Sequence, residues 1–281
     1  MGRATDDLTV TPIAGALGAE IAGVDLGADL DDAVIAAVRG VWLDHGVVFF
    51  REQDLDADRF LAFASTLGEP TPYPFVPGLD GHPEIIAVTK LPHERINFGG
   101  IWHSDTTYLD EPPMATLLLA REVPEAGGDT MFADMYGAYE TLSPAMQAML
   151  DPLQAVSSSA LADVSKTRED RRRDGGSAAD DRVFEAVHPV VRTHPETGRR
   201  ALFVNVAHTV RFDGMSEEES QPLLQYLFRH QVRPELTCRF HWEVGSLALW
   251  DNRCVQHNPV NDYHGHRRVM HRISLAGDRP R

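Results

Sequence analysis

Apolar positions along this chain fall into short blocks whose period switches between helical and alternating. Leu8 to Val24 mixes β-branched residues with small ones and glycines, which predicts two short strands around a turn. Asp31 to His45 places apolar residues at helical spacing behind an acidic first turn, and Asp56 to Leu67 predicts a second helix. Between them Val47-Val48-Phe49-Phe50 reads as a buried strand. Gly68 to Gly81, with Pro70, Pro72, Pro74 and Pro77, predicts a loop. Glu84 to Thr89 and Ala115 to Ala120 have strand length and composition, and Thr130-Met131-Phe132-Ala133 follows the turn Gly127-Gly128-Asp129-Thr130. Met135 to Leu150 holds two short helical patterns that meet around Ser143-Pro144.

Further on, Pro189 to Arg192 and Ala201 to Asn205 predict short strands joined by the turn His194 to Gly198. Ser216 to Gln231 predicts an amphipathic helix with a serine cap and glutamates in its first turn, where charge complements the helix end. Leu236 to His241, Leu247 to Trp250 and Arg267 to Ser274 finish the chain as strands. Helices first, then many short strands with long connections, predict a mainly β fold with α: an antiparallel jelly roll flanked by helices. No internal repeat and no second domain are visible, so one domain over residues 1–281 is expected. Asp163 to Asp181 is charged, contains glycines and lacks the apolar residues needed for a core face. It reads equally as a surface insertion or as a lid, with outer limits at 155–185, and the arginines Arg171-Arg172-Arg173 would suit a lid over an anion.

The net charge of −16 argues against nucleic acid or an anionic membrane surface as partner. No apolar run approaches the roughly 18 residues of a membrane span, and Met1 to Asp7 lacks the apolar core of a secretory signal. Two cysteines, Cys238 and Cys254, make no disulfide framework, so a reducing cytoplasm is the expected compartment. A homo-oligomer, dimer or tetramer, is the expected assembly.

Candidate chemistry gathers around Trp102-His103-Ser104-Asp105. In an extended segment His103 and Asp105 leave the same face, and a later histidine could complete a facial triad around a divalent iron. Alone, HxD is a weak motif that also occurs in capping turns. In Arg267 to Arg272 a strand period of two puts Arg268, Met270 and Arg272 on one face, and Val269, His271 and Ile273 on the other. Two guanidinium groups on one face can fork onto carboxylate or sulfonate, or they can simply edge a sheet in solvent. Their proximity in sequence to His257 favours an anion that also reaches a metal. His82, His93, His188, His194, His230 and His241 have no ligand-like spacing and read mostly as surface or turn residues. Cys254 lacks a second cysteine for a zinc knuckle and reads as a small buried residue.

WHSD, GGDT, WDNRCVQH and RRVMHR, in this order, resemble the taurine dioxygenase family of iron(II)- and 2-oxoglutarate-dependent oxygenases, over roughly Leu8 to Pro280. The resemblance implies a double-stranded β-helix, with His103, Asp105 and His257 as iron ligands. It implies that Thr130 and Arg268 hold carboxylate oxygens of 2-oxoglutarate and that Arg272 faces the primary substrate. Oxygen would be the third reactant, succinate and CO2 the co-products, and a C–H bond of a small sulfonate, sulfate ester or carboxylate the target. The chain departs from the family pattern around the substrate. Tyr73 stands for the family's sulfonate-binding histidine, His208 for its pocket aromatic and Tyr108 for a phenylalanine. Gly99 occupies the place of the amine-binding asparagine, with Asn97 nearby but out of register. These departures point away from taurine itself. Two rivals stay open: a zinc-type metallohydrolase on the same three ligands, and a non-catalytic jelly roll that binds a small anion. Turnover of 2-oxoglutarate to succinate separates the first, and an iron–2-oxoglutarate charge-transfer band the second.

Overall fold

A computed structural model describes residues 8–97, 99–161 and 183–281. The N-terminal half runs β1 (Thr9–Pro12), β2 (Ala19–Ala22), α1 (Asp32–His45), β3 (Val47–Phe50), α2 (Ala57–Leu67), β4 (Pro70–Thr71), β5 (Ile86–Lys90) and β6 (Ala115–Glu122). Next come β7 (Thr130–Asp134), α3 (Met135–Glu140), α4 (Pro144–Leu150), β8 (Gln154–Ser158), β9 (Glu185–Pro189), β10 (Val191–Thr193), β11 (Arg200–Leu202) and β12 (Thr209–Phe212). The chain ends with α5 (Glu217–His230), β13 (Thr237–Phe240), β14 (Leu247–Asp251), β15 (Val255–Pro259) and β16 (Arg268–Leu275). The expected mainly β architecture with flanking helices is present. Among the described residues no helix is long and apolar enough to cross a membrane.

The largest sheet has eight strands in the order β1-β2-β3-β14-β6-β16-β4, with β5 also on β16. Its pairs are antiparallel except β2 with β3. Strand alternation sorts its side chains into two cores. Val48 and Phe50 of β3, Leu247 and Leu249 of β14, Leu117 and Leu119 of β6, and Ile273 of β16 face α1 and α2, whose Val38, Trp42, Phe60 and Phe63 complete one core. The opposite face, with Phe49, Ala248, Trp250, Leu118 and Met270, packs on the sheet β13-β7-β15 through Phe240, Cys238, Phe132 and Val255. Phe49 stacks on Phe240 with ring centroids 3.9 Å apart, joining the two sheets. This is the jelly roll, and the functional face of β16 looks into the space between its sheets.

Several boundaries differ from the sequence reading. Pro70–Thr71 pairs with Ser274 and Leu275 at the sheet edge, where a missing proline N–H is tolerated. The strand expected over Pro189–Arg192 divides at Val190, where the chain leaves β8 for β11: its N–H goes to Leu153 and its carbonyl takes the N–H of Phe203. Leu236 closes a 3₁₀ turn before β13. Strands β8, β9, β12 and β15 go beyond the expected elements; β8 pairs with β9, so residues 155–158 and 185, at the outer limits of the expected lid, lie in a three-stranded sheet. The segment Asp163–Asp181, on which the lid expectation rested, lies outside the described residues.

An ionic node, buried at Asp251, Arg253 and His194 and open to solvent at Arg39 and Glu196, ties helix to sheet. Arg39 of α1 donates to Glu196, which also accepts from Arg253, and Arg253 forks onto Asp251 at 2.8 and 2.7 Å. His194 Nδ1 accepts the N–H groups of Glu196 and Thr197, so its proton sits on Nε2 and is donated to Asp251 at 3.0 Å. Burial opposes the charge on Asp251, but the bonds from Arg253 and His194 outweigh it and bring its pKa down to about 2. Removing one member of such a node strands the others in a dry interior. Asp251→Ala should therefore cost about 3–5 kcal/mol in urea unfolding at neutral pH. A depressed carboxylate stabilises the fold above its ordinary value of 3.8 and loses that contribution as pH falls toward about 2. The gap between wild type and variant should narrow over that window, and a cost below about 1 kcal/mol at pH 7 would contradict the assignment.

Candidate active site

His103 and His257 face each other across one pair of reciprocal backbone hydrogen bonds. The N–H of His103 donates to the carbonyl of His257 at 3.0 Å, and the N–H of His257 donates back at 2.8 Å. The pairing brings the two imidazoles to a centroid distance of 4.2 Å. Beyond His103 the chain turns at once: Asp105 lies in a turn and Thr106 takes φ +43°, so the expected extended HxD segment is limited to one bridge residue. A left-handed threonine is strained and persists because its neighbours fix it. Ser104 Oγ donates to the carbonyl of Val255, and the N–H of Asp105 donates to Asn252 Oδ1.

Asp105 reaches the two imidazoles through this turn. One donor atom from each of His103, Asp105 and His257 lies within 4.8 Å of the others. His103 Nδ1 donates to the carbonyl of Ile101 at 2.7 Å, which leaves Nε2 unprotonated, 3.7 Å from Asp105 Oδ1. His257 Nδ1 is buried without a hydrogen-bond partner among the described residues. Asp105 Oδ2 accepts from Thr116 Oγ1 at 2.6 Å and meets Arg272 Nη2 at 3.0 Å. Thr116 in turn accepts from Asn252 Nδ2, and Asn252 Oδ1 accepts from Trp250 Nε1. Burial opposes the charge on Asp105, yet Arg272, the two histidines and the threonine bond hold it well below the usual carboxylate range. Burial, followed by mutual repulsion, keeps His257 neutral, and burial does the same for His103 against the pull of Asp105. Two neutral imidazoles and one charged carboxylate are the donor set of a facial triad.

The two arginines separate as their strand positions require. Arg272 lies at the triad, its guanidinium 5.1 Å over the ring of Tyr73 and its Nε unpartnered among the described residues. Tyr73 hydrogen-bonds Tyr108, whose ring meets His208 edge-on at 4.9 Å, and His208 lies 5.9 Å from His103. Burial and then His103 push His208 down to about 3. The hydroxyl of Thr107 accepts from Asn205 Nδ2 and is left to donate to His208 Nδ1, which places the imidazole proton on Nε2. At the other end of the same face Arg268 is buried 5.6 Å over Trp242, with Nε and Nη2 unpartnered among the described residues. Thr130 accepts from Trp242 Nε1 at 3.0 Å, so threonine, tryptophan and arginine form one wall. Gly127 and Gly128, at φ +81° and +72°, make the turn before Thr130, and a Cβ on Gly128 would lie 3.4 Å from Arg268 Cδ.

Two sequence readings need correction. Asn97 donates to the carbonyls of Pro259 and Val260 and accepts from Tyr263 Oη, so its amide braces the loop after β15 instead of facing substrate. His188, His194 and His230 are buried, not surface residues, because each has a specific hydrogen-bond partner. His194, Asp251 and Cys254 also lie close enough for a metal. Asp251 is already saturated by Arg253 and His194, and burial raises the Cys254 thiol far above its ordinary value, so this cluster is structural. Cys254 is buried, as expected. Thr116 and Asn252, which set the carboxylate, were not singled out from sequence; the available signal was one threonine inside the apolar run Ala115 to Ala120.

Residues 9–274 match the family model described as taurine catabolism dioxygenase TauD, TfdA family. An alpha-ketoglutarate-dependent sulfate ester dioxygenase of Pseudomonas putida is 39% identical over 98% of this chain and 91% of its own. A taurine dioxygenase structure from Burkholderia xenovorans superposes with TM-score 0.83 at 36% identity, covering 98% of this chain and 91% of that one. The crystal structure of AAD-2 in complex with Mn(II) and N-oxalylglycine gives 0.80 at 26% identity, covering 97% and 98%.

The Thr116 hydroxyl orients Asp105 from behind, so Thr116→Val should weaken divalent-metal binding about 10–100-fold, while the Asn252 N–H that it strands costs about 1–3 kcal/mol of stability and leaves the chain folded. Calorimetric titration of the metal-free protein with Mn(II) reads this directly. Wild-type affinity in the variant would remove Thr116 from the site.

Proposed function

The chain belongs to the taurine catabolism dioxygenase TauD, TfdA family, and on that premise we propose that it uses iron(II) and 2-oxoglutarate to oxidise the C–H bond next to oxygen in a small sulfate ester. It is a 2-oxoglutarate-dependent dioxygenase, an oxidoreductase acting on an anionic substrate. The observation that carries the finer reading is a pair of buried arginines with unpartnered guanidinium nitrogens among the described residues, one against the triad and one four residues earlier on the same strand face. Buried, unsatisfied guanidinium groups are costly, and anions are what would satisfy them.

His103, Asp105 and His257 would hold the iron, whose donor preference they meet. Iron, when bound, would draw the oxidant from O2 and 2-oxoglutarate, one oxygen atom passing to succinate as CO2 is lost and the other to the substrate carbon. Arg268 and Thr130 would anchor the far carboxylate, and the turn of Gly127 and Gly128 lets backbone lie against that arginine. Arg272 would take the sulfate head, which sets the adjacent carbon beside the metal. His208, neutral and protonated on Nε2, adds a donor without adding charge. Tyr73 and Tyr108 form the aromatic wall that excludes water. Hydroxylation at the carbon bearing the ester oxygen gives an unstable adduct that collapses to an aldehyde and inorganic sulfate. The buried, unbridged Cys238 and Cys254 fit a reducing cytoplasm.

Succinate release should be stimulated by medium-chain alkyl sulfates more than by sulfonates or carboxylates of equal length, with sulfate and aldehyde formed in equal amounts. Succinate formation that no anion in the panel stimulates would overturn the substrate reading.

The two arginines should separate in kinetics at equal iron loading. Arg268→Ala should raise the 2-oxoglutarate requirement by the equivalent of about 1.5–3 kcal/mol, and Arg272→Ala should act mainly on the sulfate ester. A loss confined to 2-oxoglutarate in both variants would contradict this division.

A further inference from the structure

Lys90 ends β5 directly opposite Arg268 of β16 in an antiparallel register. Residues so paired point to one face with Cβ atoms about 5 Å apart. Val88 and Met270, the next pair on that face, pack in the core between the sheets, so Lys90 and Arg268 both turn inward. Lys90 is only 6% exposed, and its Nζ has no hydrogen-bond partner among the described residues. Its ammonium lies 4.2 Å over the ring of Tyr263. That ring in turn flanks the position of a Cβ on Gly128, as Arg268 Cδ does.

Lys90 and Arg268 bring two cations to one side of the interior, and neither is hydrogen-bonded by a carboxylate. Asp129 is taken by Arg239 and His241, and Glu94, which accepts the N–H of Leu91, attracts Lys90 through space without a hydrogen bond to its Nζ. The face of Tyr263 offers a cation–π contact, which leaves three N–H donors unused. The missing partner is an anion with oxygens for both groups. Resting on the co-substrate reading above, we propose that Lys90 is a second cationic anchor for the far carboxylate of 2-oxoglutarate, shared with Arg268. It is a positioning and selectivity residue: it touches the end of the co-substrate remote from the reacting carbon and favours a dicarboxylate over a monocarboxylate.

The experiment is calorimetric titration of the Mn(II)-loaded protein with 2-oxoglutarate and with 2-oxopentanoate, which has the same chain but no far carboxylate. Wild type, Lys90→Met, Lys90→Gln and Arg268→Ala are compared after thermal melts confirm folding. The glutamine variant carries the comparison should the apolar one fail to fold. Both Lys90 variants should bind 2-oxoglutarate roughly tenfold or more weakly. Binding of 2-oxopentanoate should change by less than about twofold, because a merely structural role would weaken both ligands alike. If Arg268→Ala loses the preference for the dicarboxylate and the Lys90 variants keep it, Lys90 is not an anchor and the co-substrate reading stands. If wild type shows no such preference, both fall together.

Discussion

Everything at this site hangs on the reciprocal backbone pair between His103 and His257. Those two hydrogen bonds join the loop after β5 to β15, the edge of the smaller sheet, and so tie together parts of the chain 154 residues apart in sequence. Side chains of directly opposed residues lie on one face, so the pairing itself aims both imidazoles at the same point. The third donor cannot come from continued strand, because the sheet ends there. The turn through Thr106 swings Asp105 in, and the chain of Trp250, Asn252 and Thr116 fixes its carboxylate. Backbone geometry thus sets two donors, and a buried polar relay sets the third.

Charge explains the rest. The protein is strongly acidic, yet the space between its sheets collects Lys90, Arg268 and Arg272, each with buried N–H groups that lack protein partners among the described residues. Arg272 lies in direct contact with a carboxylate, that of the triad, whereas Glu94 and Asp129 act on Lys90 and Arg268 through space. Elsewhere buried ions have partners, as Asp251 and Arg253 do in each other, in His194 and in Glu196, although Arg192, paired with Asp278, also keeps an unpartnered Nε among the described residues. The contrast distinguishes structural from functional burial: a paired ion holds the fold, whereas an unpaired one is a standing cost that a ligand relieves. Strand register places the cations in two groups, Arg268 with Lys90 at the start of β16 and Arg272 four residues further, in mid-strand.

Much of this was legible in the sequence because the relevant patterns are short-range. The nearness of His103, Asp105 and His257 and the alternation of Arg268, Met270 and Arg272 are present in the structure, though Asp105 arrives through a turn and not from an extended segment, and α1, α2, the serine-capped α5 and the buried β3 are present too. What failed depended on tertiary partners. Polar residues such as His188, His194 and Asn97 were read as surface or substrate-facing, whereas distant carbonyls and carboxylates satisfy them inside. Thr116 sits in a run so apolar that its inward direction emerges only once the register with β14 and β16 is known. Lys90 lies one residue beyond the strand that the local pattern marks, Glu84 to Thr89, and only the pairing with Arg268 shows that it belongs to β5. Strands β8 and β12 are short and part polar, and no local pattern separates them from loops.

The central claim is that one buried triad holds a single iron and keeps adjacent coordination positions open to a keto acid. Anaerobic titration tests it most directly: iron(II) is added to metal-free protein, followed by 2-oxoglutarate, while the visible charge-transfer absorption is recorded. The account requires a band that needs both components and saturates at one iron and one 2-oxoglutarate per chain, and that is lost in His257→Ala. Iron bound at this stoichiometry with no band on adding 2-oxoglutarate, or an undiminished band in the variant, would contradict it.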